Sequence, residues 1–260
     1  GFANTGDDPY SVDWSVSNRY FGVATDNANT DAFGEFQLFT FASPYPQTNR
    51  FVSPVDAYAV NWHPRSNLVA FGTAANGSGP EIHVFNLKTN GAGFLQTNRL
   101  EVGADVTALD WLPGTSHDLA AGTKLAAGEV KIFRYAPSTT NMSTVTTFNA
   151  SGTRSVARNG VRANPAGDRI AVVYDDPTSF SSDAIQMLSF NGSTLGAAGT
   201  HAPGFLDYPS GVSWSPSGDR LAVSLSNVVS VSKELLIYRY VSDTLTLLTN
   251  SHLGAGEFAT

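Results

Sequence analysis

A repeat of about 50 residues constrains this fold more than any other feature of the sequence. Each unit has an anchor residue, usually tryptophan, that ends a short apolar run and precedes a turn. The anchors are Trp14, Trp62, Trp111, Ala163 and Trp214, at steps of 48, 49, 52 and 51 residues. Self-similarity at a fixed period of this length is typical of modular architectures in which similar units pack side by side. The sequence therefore predicts five similar structural units.

Each unit contains four short segments suited to β-strands. In the last unit, the turn Pro216 to Asp219 follows the anchor and leads into the apolar run Arg220 to Ser226. Third segments such as Glu81 to Phe85 alternate polar and apolar residues, which is the period of a half-buried strand. Weaker fourth segments, such as Thr244 to Leu248, complete the unit. The pattern predicts an all-β propeller with five four-stranded blades.

The last unit also carries a resemblance to a known family. The run Val212 to Val223, with the sequence VSWSPSGDRLAV, resembles the opening of WD repeats and of related bacterial and viral β-propellers. The likeness extends through all five units, although no Trp-Asp dipeptide ends the third segments and no Gly-His pair opens the units. The resemblance implies the fold alone, because one fold hosts many functions.

We assign residues 1–260 to a single propeller domain and expect first a complete ring of five blades. Both ends of the sequence leave an alternative open. Gly254 to Thr260 resembles the entry to a sixth unit, and Gly1 to Thr5 resembles the end of a preceding outer strand. An excerpt of a larger ring or a tandem array is therefore the alternative.

Composition narrows the function classes. Only 14% of the residues are charged, the net charge is −7 and there are four lysines, so the chain offers no basic patch for nucleic acid. No apolar run approaches the roughly 18 residues of a membrane span. We predict no metal and no cofactor, since neither His-Glu-x-x-His spacing nor a phosphate-binding loop occurs, and the histidines read as ordinary turn or strand residues. The lack of cysteine and the few lysines favour an extracellular, cell-surface or virion location over the cytoplasm.

The loops that enter the innermost strands supply the first candidate binding residues. Tyr10 and Tyr58 each lie four residues before an anchor, where their rings would line the axial mouth and stack on a carbohydrate or peptide. Packing between blades is the alternative role for both. Tyr208 occupies the entry loop of the last unit, and Asp176 lies in a long loop of the fourth unit.

The fourth unit breaks the repeat and supplies two further candidates. Its anchor is Ala163, and Arg158 and Arg162 lie in the entry strand just before it. Functional sites are where local rules are most often broken, so we assign both arginines a binding role; solvated ion pairs with the acidic loop at Asp175 and Asp176 are the alternative. The missing indole also predicts local irregularity, because an unfilled cavity of that size costs about 3 to 5 kcal/mol.

Three functions are compatible with these features. The leading hypothesis is a non-catalytic scaffold that binds a protein or a glycan through its loop rim, because no catalytic residue can be named from the sequence. The alternative is a hydrolase of the lactonase or glycosidase type, which would require facing carboxylates with raised pKa values in the axial pocket. A purely structural subunit of a larger assembly is the third. For the fold itself, we expect Trp14, Trp62, Trp111 and Trp214 to be buried.

Overall fold

The computed structural model describes residues 8–26, 35–42, 46–77, 79–88, 93–114, 116–125, 127–150, 154–175, 184–201, 207–227 and 235–251. Within these ranges the chain forms twenty strands in five antiparallel sheets of four strands each. The described residues contain no α-helix, and hence none of a length and hydropathy that could cross a membrane. The predicted all-β propeller architecture is confirmed.

Each blade is one unit of the repeat, and its strands are hydrogen-bonded in chain order from the axis outwards. Consecutive strands pair antiparallel, so every blade is a simple meander. The strands are β1 (Pro9–Trp14), β2 (Tyr20–Thr25), β3 (Phe36–Thr40) and β4 (Gln47–Phe51) in blade 1; β5 (Ala57–Trp62), β6 (Leu68–Thr73), β7 (Ile82–Leu87) and β8 (Phe94–Leu100) in blade 2; β9 (Val106–Trp111), β10 (His117–Thr123), β11 (Val130–Ala136) and β12 (Asn141–Phe148) in blade 3; β13 (Val156–Ala163), β14 (Arg169–Tyr174), β15 (Ile185–Phe190) and β16 (Leu195–His201) in blade 4; and β17 (Asp207–Trp214), β18 (Arg220–Asn227), β19 (Leu235–Val241) and β20 (Thr244–Ser251) in blade 5.

The hydrophobic core is divided among the blade interfaces. Successive side chains of a strand point to opposite faces of its sheet. Each blade therefore has a front face towards the preceding blade and a back face towards the following one. Between blades 3 and 4, for example, Ala120 and Val130 of the back face pack against Val161 and Ile170 of the next front face. The approach is so close that a Cβ atom at Gly122 would lie 2.4 Å from Cγ1 of Val156.

A polar hydrogen bond also links successive blades near the axis. The side chain just before an anchor accepts the backbone N–H of the next blade's anchor. The bonds run from Trp62 N to Asp13 Oδ2 (2.6 Å), from Trp111 N to Asn61 Oδ1 (2.7 Å) and from Ala163 N to Asp110 Oδ2 (2.7 Å). Ala163 thus takes the same place as the tryptophans, which confirms the alignment of the fourth unit.

The five blades form an arc. Each packs on the next through a hydrophobic cluster, but the described strands of blade 5 share no such packed interface with blade 1. The expectation of a complete ring of five blades is therefore not met by the described residues. The expected burial of the anchor tryptophans holds for Trp62 and Trp111 but is wrong for Trp14, which is 45% exposed because no blade packs on its front face at that point. Trp214 is half-buried and packs at the edge of the cluster between blades 4 and 5.

Blade 4 is irregular, as predicted, but the irregularity lies at the entry end of β13 and not at the missing indole, since Ala163 pairs regularly with Ile170. Val156 pairs with Tyr174 and Val161 with Val172, so four residues of β13 lie opposite a single residue of β14. This bulge projects residues 157–160 towards the axis. Asn159 within it has a positive φ of 54°, a conformation that asparagine tolerates better than most residues.

Candidate functional site

The axial channel has two ends of different character. We call the end where the chain enters the inner strands the entry rim, and the end where the inner strands finish the anchor funnel. The anchor funnel is an open cavity of about 450 Å³ to which all the blades contribute. Its wall includes Asp13 and Trp14, Asn61 and Trp62, Asp110 and Trp111, Arg162 and Ala163, and Ser213 and Trp214.

Arg162 is the only basic side chain among the described residues of this wall, and Asp110 orients it. Its Nη1 donates to Oδ1 of Asp110 at 3.0 Å and to the carbonyl oxygen of Leu109 at 3.3 Å. The Arg162 side chain is 27% exposed and that of Asp110 only 14%. Nε and Nη2 of Arg162 make no hydrogen bond to any residue that the structure describes. Part of the guanidinium edge is therefore available to a ligand in the funnel.

Two carboxylates of the funnel wall, Asp13 and Asp110, have raised pKa values. Burial raises the pKa of Asp110 and the charge of Asp13 adds to the effect, although Arg162 and the Ala163 N–H act in the opposite direction. Burial likewise raises the pKa of Asp13 against the lowering effects of the Trp62 and Trp14 N–H groups and of Arg162. Desolvation thus makes both groups stronger bases than exposed aspartates.

The missing indole of blade 4 opens this site. Ala163 lines the funnel where the other blades place a tryptophan, and the indole Nε1 of Trp214 donates to the carbonyl oxygen of Arg162 at 3.0 Å. That bond fixes the backbone from which the Arg162 side chain extends. One of the two arginines predicted from the irregular blade, Arg162, therefore lies in the wall of the funnel.

His63 forms a rigid, neutral part of the same wall. Burial and the nearby charges of His117 and Arg65 lower its pKa to about 4. Its Nδ1 accepts the backbone N–H of Arg65 at 3.1 Å, and its ring stacks on that of His117 with centroids 4.6 Å apart. It is a turn residue, as the sequence suggests, but a buried one. In the described parts of the chain, no cluster of three His, Asp or Glu side chains is arranged to hold a metal ion.

The entry rim brings together three of the predicted binding residues. The guanidinium of Arg158 lies 3.9 Å from the ring centroid of Tyr10 and 4.8 Å from that of Tyr58, in contact with both aromatic faces. Asn159 accepts a hydrogen bond from Ser11 Oγ at 3.1 Å and donates to the Tyr10 carbonyl oxygen at 3.3 Å. The bulge of blade 4 thereby reaches blades 1 and 2 across the axis and narrows the channel at this end.

The remaining predicted residues are distributed more widely. Tyr208 lines a separate cavity of about 280 Å³ at the entry rim, together with Arg158 and Lys124. Arg162 lies in the anchor funnel at the opposite end, and Asp176 falls outside the described residues. Tyr58 is only 8% exposed, which agrees with its alternative role in packing between blades. Ligand binding by the rim residues stays a prediction.

Sequence reasoning missed Asp13, Asn61 and Asp110. A signal for them was present, because a polar residue precedes the anchor tryptophan in each of the first three units. An inner strand that ends beside the axis must satisfy the exposed N–H groups of its neighbour, and a short Asp or Asn side chain does so. The repeat therefore identifies these positions, while their convergence on Arg162 is visible only in the structure.

No family model matches this chain, and no curated protein matches its sequence. Solved structures match its fold. They include a putative 6-phosphogluconolactonase from Bacteroides fragilis NCTC 9343, with a TM-score of 0.72 and 13% identity over 95% of this chain and 71% of that chain. The periplasmic gluconolactonase PpgL of Pseudomonas aeruginosa matches with a TM-score of 0.70 and 14% identity over 96% and 73% of the two chains.

The β-propeller domain of Cps50 (Swd1) from Myceliophteria thermophila matches with a TM-score of 0.62 and 15% identity over 95% of this chain and 73% of that chain. These matches do not establish a WD-repeat-like bacterial or viral family for this chain. At such low identity the likeness concerns architecture alone. This chain shares the β-propeller fold of these proteins.

Proposed function

We propose that this propeller is a hydrolase of the lactonase type that works in the anchor funnel. The observation that carries the proposal is an open axial cavity that holds Arg162, its ion-pair partner Asp110 and a second carboxylate, Asp13, with the pKa values of both carboxylates raised. Raised carboxylate pKa values in the axial pocket are one of the features that the hydrolase alternative requires, and they support it. The lactonase names of two fold neighbours are consistent with it.

The chemistry follows from the charges. In the hydrolysis of a lactone, the oxygen of water bonds to the carbonyl carbon and the carbonyl oxygen becomes an oxyanion. Asp13 is placed to accept the proton of the water, and the free edge of Arg162 to bind the oxyanion. The ring C–O bond then breaks, and the leaving alkoxide takes the proton to give the hydroxy acid. Asp110 holds Arg162 in position.

The same charges favour a lactone over a glycoside. Glycoside hydrolysis passes through a cationic, oxocarbenium-like transition state, which the guanidinium of Arg162 in the same cavity would destabilise. Lactone hydrolysis passes through an anionic state, which that guanidinium stabilises. The indole rings of Trp14 and Trp214 at the funnel wall provide faces on which a sugar lactone can stack.

The test is hydrolysis of a sugar δ-lactone, followed by titration of the released acid and compared with the spontaneous rate. Asp13→Asn is the informative variant. Asn61 shows that an asparagine makes the same bond between blades, so this variant should keep the fold. We expect its kcat/KM to fall by about 10² to 10⁴, the usual contribution of a general base.

Glu101→Gln is the matched control, because it removes an exposed carboxylate outside the funnel. The funnel residues of the same blade are residues 61 to 64. The activity of this variant should equal that of the unsubstituted protein. Equal rates in Asp13→Asn and Glu101→Gln, or no acceleration by the unsubstituted chain, would contradict the proposal.

The periplasmic location in the name of one neighbour also supports the predicted location outside the cytoplasm.

A further inference from the structure

The four blade interfaces are built alike, which makes the two terminal faces of the arc easy to compare with them. In each interface, the back face of one blade packs against the front face of the next. The back face has small residues on its second strand and larger apolar residues on its third. The front face has an apolar residue two positions before the anchor. Ala24 and Phe36 of blade 1, for instance, pack with Val60 and Trp62 of blade 2. The two terminal faces of the arc are the front face of blade 1 and the back face of blade 5.

The back face of blade 5 has the residue pattern of an interface without its burial. The corresponding residues of blade 4, which blade 5 covers, are all fully buried: Ala171, Val173, Ile185 and Met187. In blade 5 the residues at the same register positions are only partly buried: Ala222, Ser224, Leu235 and Ile237. The opposite face of the same strands is buried against blade 4. One side of blade 5 is therefore accessible where every other blade is covered.

The front face of blade 1 shows the complementary exposure. Val12 is 59% exposed, whereas Val60, Leu109 and Val161 at the same repeat position are 1%, 3% and 0% exposed. Trp14 is 45% exposed, against 4% for Trp62. Farther from the axis on the same face, residues such as Phe39 are buried, so the accessible strip is the one next to the funnel.

We propose that these two faces bind a pair of further four-stranded blades of the same repeat type, which close the arc into a ring. The occupant is defined by the interface that it continues. Its first blade needs a front face with an apolar residue and an indole, to cover blade 5. Its second blade needs a back face with small residues on its second strand and larger apolar residues on its third, to cover blade 1. Five blades cover 71 to 73% of the three fold neighbours described above, and five sevenths is the same share. The gap therefore corresponds to two blades.

The curvature of the arc argues against a second copy of this chain as the occupant. Asn159 of blade 4 touches Ser11 of blade 1 across the axis, with 3.1 Å between its Oδ1 and the Ser11 hydroxyl. A ring in which blades this far apart in the chain meet at the axis has a narrow centre. Five additional blades would require a much wider ring and would separate these residues. The inference rests on the blade interfaces and is independent of any enzymatic activity.

The test compares the 260-residue chain with a version extended at its C-terminus by a duplicate of residues 53–150, the segment that contains its own blades 2 and 3. Val12→Lys is made in both. In the unextended chain it should shift the urea midpoint no more than Val52→Lys, a control at a valine that is 48% exposed and lies outside the blade face. In the extended chain Val12→Lys alone should lower the midpoint, because the lysine is then buried in an interface.

Quenching by acrylamide gives an independent measurement. The contribution of Trp14, obtained by difference from Trp14→Phe, should fall in the extended chain. Three results would overturn the proposal: neutrality of Val12→Lys in the extended chain, added blades that remain unfolded by circular dichroism, or a dimer of the unextended chain that Val12→Lys abolishes. The last of these would identify a second copy as the occupant.

Discussion

The pair Val12→Ala and Val60→Ala tests whether burial at the blade interface stabilises this fold. Both substitutions remove the same two methyl groups at the same repeat position, but Val12 is 59% exposed and Val60 is 1% exposed. At about 0.8 kcal/mol for each buried carbon, loss of the Val60 methyl groups costs roughly 1.6 kcal/mol before any cavity forms. The cavity between the blades raises the total to about 2 to 3 kcal/mol.

At Val12 the same change removes methyl groups that are largely in water already, and no enclosed cavity results. We expect a cost of about 0.5 kcal/mol, which is typical of surface substitutions. The assay is urea unfolding followed by circular dichroism, with the slope of each transition compared so that midpoints report stability. Equal destabilisation by the two variants would refute the reasoning, since it would mean that the Val12 face is covered in solution.

Two further predictions concern the wall of the funnel and the closeness of the blades. The pKa of His63 falls from 6.5 to about 4 on folding. The unfolded chain therefore binds the proton first as pH falls, and stability that is fully present above pH 6.5 should decline between pH 6.5 and 4 by on the order of 3 kcal/mol. His63→Gln should flatten this decline in urea midpoints measured against pH, and an unchanged slope would contradict it. Gly122→Ala places a Cβ atom 2.4 Å from Val156 Cγ1 and 2.9 Å from Val161 Cγ2, so we expect a loss of roughly 1 to 3 kcal/mol from overpacking. Adding Val156→Ala should restore part of that loss in thermal unfolding; a Gly122→Ala protein as stable as its parent would show that the blades are less tightly packed.

The sequence by itself determined the blades. Strand alternation and turn chemistry act between residues a few positions apart, so the four strands of a unit such as Ala57 to Leu100 can be recognised without tertiary information. The repeat also placed Ala163 among the anchors, and the bond from its N–H to Asp110 confirms that alignment. It also singled out blade 4 through its substituted anchor, whereas the bulge of that blade lies at the other end of β13 and was not encoded in the anchor.

Only the tertiary structure decided which of these residues act together. Asp13, Asp110 and Arg162 belong to three different units, and their approach at the axis depends on the angle between successive blades, which no local pattern encodes. Arg158 and Arg162 lie four residues apart on β13 but at opposite ends of the channel, because the strand runs along the axis. The arrangement of the blades also left Trp14 exposed where Trp62 is buried, because an anchor tryptophan is covered only when another blade packs against its front face.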